Sequence, residues 1–153
     1  MNDDDEIPES VKRLFSEREP GRMIGRGHPA GDLLEAYEWR VLAEEPGHLR
    51  IACHLPDALR NPRGVLFGGF TATYVDLAAI FSCRAGEPAE GRRHWLDTVN
   101  MRIDYIEPIT DAFEIDNRVV TRRGRMVWVE SRFLDRDERM LAFALTTLRE
   151  AAG

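Results

Sequence analysis

The sequence predicts an α+β domain in which one curved antiparallel sheet wraps a single long helix. Three observations carry this. Residues 64–83 hold one charged side chain, Asp76, in a run that is otherwise apolar or small, and a helix apolar on most sides belongs inside a protein. Segments on either side of it alternate apolar and polar residues with period two, the mark of half-buried strands. Short turns rich in Gly, Pro, Asp and charged residues separate those strands as hairpins would. At 153 residues, 43% hydrophobic and 31% charged, the chain can bury one core of that kind.

Taken in order, residues 1–7 read as a solvated acidic tail. Residues 8–19 can form a short amphipathic helix with Val11, Leu14 and Phe15 on one side. Glu19-Pro20-Gly21 ends it, and irregular chain follows to Gly31. The expected division is therefore residues 1–30 as tail and short helix, and residues 31–153 as the folded domain. Leu49, Ile51, Cys53 and Leu55 alternate with His48, Arg50, Ala52 and His54, which makes residues 48–55 a strand. Residues 37–43 are its expected hairpin partner across Glu45-Pro46-Gly47. The loop Asn61-Pro62-Arg63-Gly64 then opens the long helix.

Four more strands follow the helix. Val99, Met101, Ile103 and Tyr105 mark the first, and Phe113, Ile115 and Val119 the second. Val127, Val129, Ser131 and Phe133 mark the third, and Leu141, Phe143, Leu145 and Thr147 the fourth. Hairpin turns are expected at residues 107–111, at Arg123-Gly124 and at residues 135–138.

Charge and composition exclude several functions. A net charge of −6 argues against a general nucleic-acid binder, which carries a basic face. The helical segment approaches the length of a bilayer span, but Asp76, two adjacent glycines, Thr71, Thr73 and Ser82 argue against one. Cys53 and Cys83 form neither a disulfide framework nor a metal-ligand spacing, and read as small core residues of a reducing compartment. The acidic N-terminus lacks the basic region of a secretory signal, so a cytoplasmic location is expected. His28, His48, His54 and His94 are scattered, pair with no Ser or Cys in a nucleophile motif, and are expected at the surface. No metal or cofactor is expected.

The long helix holds the chemistry. A lone carboxylate among apolar residues is costly to bury unless it is partnered. Asp76 is thus either a hydrogen-bonded structural acid or the reactive group of a catalytic helix that opens at Gly68-Gly69. The run Asn61-Pro62-x-Gly64-x-x-Phe67-Gly68-Gly69, with Asp76 seven residues after Gly69, resembles the hotdog-fold acyl-CoA thioesterases of the phenylacetic-acid-degradation type. Thr98-Val99-x-Met101-x-x-x-Tyr105-x-x-Pro108 is similar to that family's central strand and its Tyr-x-x-Pro turn. The likeness spans roughly residues 35–150, and the Asn-to-Asp spacing is its most specific part. One position departs: the family has His before its Gly-Gly pair where this chain has Phe67, which offers no such hydrogen bond.

The resemblance implies a hotdog fold and hydrolysis of aryl- or medium-chain acyl-CoA to free acid and CoA. Asp76 then serves as general base or nucleophile, and the Gly68 N–H as oxyanion donor beside Gly69. A helix start offers unpaired N–H groups and the positive end of the dipole, and glycine lets a carbonyl approach closely. Asn61 and Thr98 match supporting positions. By themselves, Asn61 reads equally as an Asx-turn with Pro62, and Thr98 as an ordinary strand residue. Phe67 can line the acyl cleft. Phe70, Tyr74 and Phe81 repeat at helical spacing and read as core. Arg122, Arg123 and Arg125 form either a clamp for the CoA phosphates or a solvated hairpin tip.

Geometry adds a partner. Gly68 and Asp76 are about 12 Å apart along one helix, while both groups must come within about 3 Å of one thioester. Two antiparallel copies, each offering its glycine end to the other's aspartate, satisfy both distances. A homodimer with two shared active sites is expected, with dimers able to pair into tetramers. The alternative function is an acyl-CoA-binding module without turnover, which Phe67 in place of His keeps open. A hotdog hydratase is a further alternative, requiring a His against Asp76.

Overall fold

The computed structural model describes Glu9, residues 18–87 and residues 95–151. Most of the expected helix at residues 8–19, and His94, lie outside the described residues. A short helix, α1 (Pro29–Leu33), replaces part of the irregular stretch expected before Gly31. The His28 ring caps it, its Nδ1 accepting from the Gly31 N–H at 3.0 Å. Strands β1 (Arg40–Glu45) and β2 (His48–Cys53) form the expected hairpin, turning at Gly47 with φ +73°. β1 starts later than expected, because Ala36–Glu38 is a 3-10 turn that buries Trp39 against Tyr74.

The long helix α2 (Gly68–Cys83) crosses the concave side of six strands completed by β3 (Leu96–Tyr105), β4 (Phe113–Arg123), β5 (Met126–Leu134) and β6 (Met140–Glu150). The sheet order is β1-β2-β4-β5-β6-β3, and every pairing is antiparallel. One helix wrapped by such a sheet is the hotdog fold.

The order corrects one sequence expectation. Residues 107–111 do not close a hairpin: β3 pairs with β6, from Leu96 opposite Glu150 to Tyr105 opposite Ala142, and the chain crosses the sheet to begin β4. Period-two alternation is silent about which strand lies beside another. On β6, where both faces carry apolar residues, it also marked the wrong face: Ala142, Ala144, Thr146 and Leu148 face the core, and Phe143, Leu145 and Thr147 are half-buried on the other side. The β4–β5 and β5–β6 connections are hairpins as expected, the first turning on Gly124-Arg125 with Arg123 opposite Met126.

Tyr74 organises the core. Its ring stacks on Trp39 at 5.2 Å and meets Phe113 edge-on at 5.1 Å, and Phe113 stacks on Phe133 at 5.5 Å. Each such ring contributes about 1.5–3 kcal/mol through burial. Tyr74 and Phe81 are buried as the helical spacing predicts, and Phe70 is half-buried. The core also takes in Met23 and Ile24, upstream of the domain start expected at residue 31. A polar pair sits on the concave face as well. Ser131 Oγ donates to Asn117 Oδ1 at 2.7 Å, and Asn117 Nδ2 donates to the Leu49 carbonyl at 3.0 Å. Both side chains are buried and mutually satisfied, so they cost little and hold β2, β4 and β5 in register.

Candidate active site

The loop before α2 is held on all sides. Asn61 Oδ1 accepts from the Arg63 N–H at 2.9 Å and the Val65 N–H at 3.3 Å, and Gly64 takes the left-handed φ of +78°. Arg60 Nη1 donates to the Gly64 carbonyl at 2.7 Å and the Thr110 carbonyl at 2.8 Å. The Leu66 N–H donates to Ile109 and the Phe67 N–H to Leu59, each at 2.9 Å. The Asx-turn reading of Asn61 is therefore realised by its oxygen.

This loop delivers the helix start in a fixed place. Phe67 is the N-cap residue and makes no side-chain capping bond. The Phe70 N–H bonds the Phe67 carbonyl at 2.9 Å, whereas the Gly68 and Gly69 N–H groups have no acceptor among the described residues. Two exposed rings flank them. Phe67 is 54% exposed, and its ring atoms lie 3.1 Å from where a Cβ on Gly69 would sit, so that glycine is required unless the ring gives way. Tyr105 donates its hydroxyl to the Gly68 carbonyl at 2.7 Å. Next to Gly68 opens a cavity of about 310 Å³ lined by Leu66, Thr71, Tyr105, Ile106, Ile109 and Leu141.

Further along α2, Gly69, Ala72, Thr73, Asp76 and Ile80 form the one side that the sheet leaves uncovered. Their spacing of three and four residues makes a stripe. Asp76 is half-buried on this stripe, not sealed among apolar neighbours as its sequence context suggested. Thr98, exposed on β3, donates its hydroxyl to Asp76 Oδ1. The structure thus brings Thr98 and Asp76 together and leaves Gly68 about 12 Å up the same helix.

The three arginines lie at the opposite end, and two of them are engaged. Arg122 Nη2 donates to the Cys83 carbonyl at 2.9 Å, and Nη1 to Glu150 at 3.2 Å. Arg125 Nη1 reaches the Glu150 carbonyl at 3.4 Å. Arg123 is exposed, and its guanidinium has no partner among the described residues. Neither reading of the cluster covers Arg122, which closes the C-terminus of α2. The nearby Cys83 thiol is buried, and burial pushes its pKa up to about 11.

Sequence reasoning missed one cluster. His54 Nε2 pairs with Glu35 and lies 3.9 Å from Glu38, and one ligand-type atom from each of the three falls within 4.8 Å of the others. His54 lies on the outer side of its strand as expected, half-buried beneath Glu35, and it makes no bond to Asp76. His48, expected at the surface, is half-buried with its Nε2 2.6 Å from Asp116. These pairings join residues far apart in sequence, so no local spacing signals them. No helix among the described residues is long and apolar enough to cross a membrane.

No protein-family model matches the sequence, and no curated protein does. Solved structures do resemble it. The conserved protein PA5202 from Pseudomonas aeruginosa superposes with a TM-score of 0.68 at 19% identity, over 82% of this chain and 95% of that one. The PaaI protein from the Escherichia coli phenylacetic acid degradation operon gives 0.69 at 12%, over 83% and 87%. A hypothetical thioesterase from Streptococcus pneumoniae, solved with coenzyme A, gives 0.63 at 15%, over 75% and 87%. At such identities the likeness establishes the fold, and function has to be argued from the site.

Proposed function

We propose that this chain is an acyl-CoA thioesterase that works as a homodimer with shared active sites. The observation that carries the reading is a single helix bearing both an uncapped Gly68-Gly69 start and, on its uncovered side, a carboxylate held by Thr98. The fold it shares with a hypothetical thioesterase solved with coenzyme A supports the ligand class.

In this reading the thioester oxygen lies against the Gly68 N–H of one protomer, where the helix start stabilises the charge that develops on it. Asp76 of the other protomer takes a proton from water as the hydroxyl adds to the thioester carbon. The C–S bond then breaks, and the CoA thiolate leaves with the proton from Asp76. In the nucleophilic variant the Asp76 carboxylate attacks the thioester carbon and the C–S bond breaks to release the CoA thiolate. Water then cleaves the mixed anhydride, giving the free acid, regenerating Asp76 and supplying the thiolate's proton. Thr98 holds the carboxylate in line for either. Asn61, its oxygen engaged by the turn, offers its amide nitrogen to the thioester or the water.

The dimer rests on distance and on the surface available for it. The outer edge of β3 is unpaired among the described residues, Val99 on that strand is 52% exposed, and the stripe of α2 is partly open. A two-fold pairing covers both. The apolar cavity beside Gly68 suits an aryl or medium-chain acyl group, with Phe67 at its approach. Of the three hairpin arginines, Arg123 is the one whose guanidinium has no partner among the described residues, and it meets the CoA phosphates in this reading. A cytoplasmic location belongs to the same reading.

A second reading, an acyl-CoA binder without turnover, draws on Phe67 standing where the resembling family has a hydrogen-bonding His. A panel of acyl-CoAs assayed with a thiol reagent separates the two. Thioesterase activity requires thiol release by the wild-type protein and its loss by about 10²- to 10⁴-fold in Asp76→Asn, with the dimer intact. Undiminished turnover in that variant refutes the mechanism, and affinity without thiol release by the wild type leaves the binder.

A further inference from the structure

We propose that Tyr105 is a positioning residue that makes the Gly69 N–H a second oxyanion donor beside that of Gly68. The proposal rests on the hydrolytic reading above and deepens it.

The Gly68 carbonyl and the Gly69 N–H are the two ends of one planar amide. Tyr105 donates its hydroxyl to that carbonyl at 2.7 Å, from the last position of β3. A donor on the carbonyl pulls electron density through the amide and leaves the N–H at its other end more positive, the usual cooperativity of hydrogen-bond chains. It also keeps this peptide from tilting, so the Gly69 N–H stays aimed away from the helix body. That N–H is one of the helix's first four, which find no intrahelical acceptor, and it has none among the described residues.

Folding does not account for the contact. Tyr105 is 60% exposed, so water can satisfy its hydroxyl, and its carbonyl partner can accept the intrahelical bond of the next turn alone. Ring atoms of Tyr105 lie 3.6 Å from where a Cβ on Gly68 would sit, an ordinary packing distance, and Gly69 is exposed. The same strand acts twice on α2: Thr98 binds the Asp76 carboxylate, and Tyr105 binds the carbonyl behind the glycine amide. In the shared-site reading the two groups serve different sites, so the edge strand holds one fixed element of each, and fixed groups are what preorganised electrostatic stabilisation requires.

The test is Tyr105→Phe in the full-length protein, which keeps the ring and removes the hydroxyl. Two readouts are taken beside Asp76→Asn: steady-state kinetics with acyl-CoA, and the ¹⁵N–¹H resonance of Gly69. The Gly69 nitrogen should move upfield more than any other amide of α2. The kcat should fall about tenfold with KM unchanged, less than the effect of deleting an oxyanion donor outright. A merely structural tyrosine would lower thermal stability without moving kcat apart from KM. If Asp76→Asn loses turnover while Tyr105→Phe keeps both its kcat and its Gly69 resonance, the positioning role is overturned and the thioesterase stands. If the wild type releases no thiol, the hydrolytic reading falls by itself and takes the oxyanion role with it. The Gly69 resonance then still decides whether the hydroxyl polarises that amide.

Discussion

The two ends of α2 treat their unpaired backbone groups in opposite ways. At the C-terminus Arg122 donates to the Cys83 carbonyl and pairs with Glu150, placing a cation where the helix dipole favours one. At the N-terminus Phe67 caps nothing, and two glycine N–H groups point at no acceptor among the described residues. Side-chain caps typically contribute about 1 kcal/mol, and Ser, Thr, Asp or Asn at position 67 would supply one. A protein that closes one end of its central helix and leaves the other open between two exposed rings has forgone stability at the open end. That is the pattern of a site that receives an anion or a developing negative charge.

Substitution can break this contrast most sharply at Gly68. Proline is well tolerated at the first helical position, and Phe67 already has the extended ψ of 129° that a following proline demands. Gly68→Pro therefore deletes one N–H while sparing the helix. Thermal stability should be retained and kcat should drop about 10²- to 10³-fold. Full turnover in a folded Gly68→Pro protein would mean that the open end is not where charge develops.

A smaller effect is expected at the closed end, and on stability first. Arg122→Ala removes a charged donor from the last turn, so the urea midpoint should shift to match a loss of about 1 kcal/mol, scaled down from a buried charged bond because the side chain is partly exposed. An unchanged midpoint would show that the C-terminal carbonyls find water just as readily. The least is expected of Cys83. With its pKa pushed up to about 11 by burial, about one thiol in a thousand is ionised at pH 8. Alkylation should be very slow in the native state and rapid once urea unfolds the chain. Fast native labelling would mean that this end of the helix opens.

Several parts of the candidate site were legible because they are local. Asn61, Gly68, Gly69 and Asp76 lie within sixteen positions, and their spacing alone suggested a turn, a helix start and a carboxylate two turns on. Thr98 was picked out only through the resemblance, since a threonine in a strand carries no signal of its own partner. Tyr105 belonged to the same motif, yet its bond to the Gly68 carbonyl was invisible without the path of β3 beneath the helix. The arginines show the opposite case. Their clustering at Gly124 was plain, but the pairing of β4 with β5 carries that hairpin to the far end of α2, where Arg122 becomes a cap. His54 likewise alternates as a strand residue would, and meets Glu35 only because the chain before β1 folds back over the end of β2.

By itself the sequence determined the long helix with its single charge, the strands, most of the turns, and the buried faces of β2, β4 and β5. These follow from the preferences of neighbouring residues and from the spacing of apolar side chains, both written in a short window of chain. On β6, by contrast, the core takes Ala142, Ala144, Thr146 and Leu148 in place of the expected Phe143, Leu145 and Thr147. Tertiary structure alone decided that β3 lies beside β6, that Thr98 holds Asp76, that Tyr105 reaches Gly68, and that Arg122 closes the helix. Each joins groups at least 22 positions apart. A hydrogen bond over that separation forms only once the whole sheet has curved around the helix and brought its partners within reach.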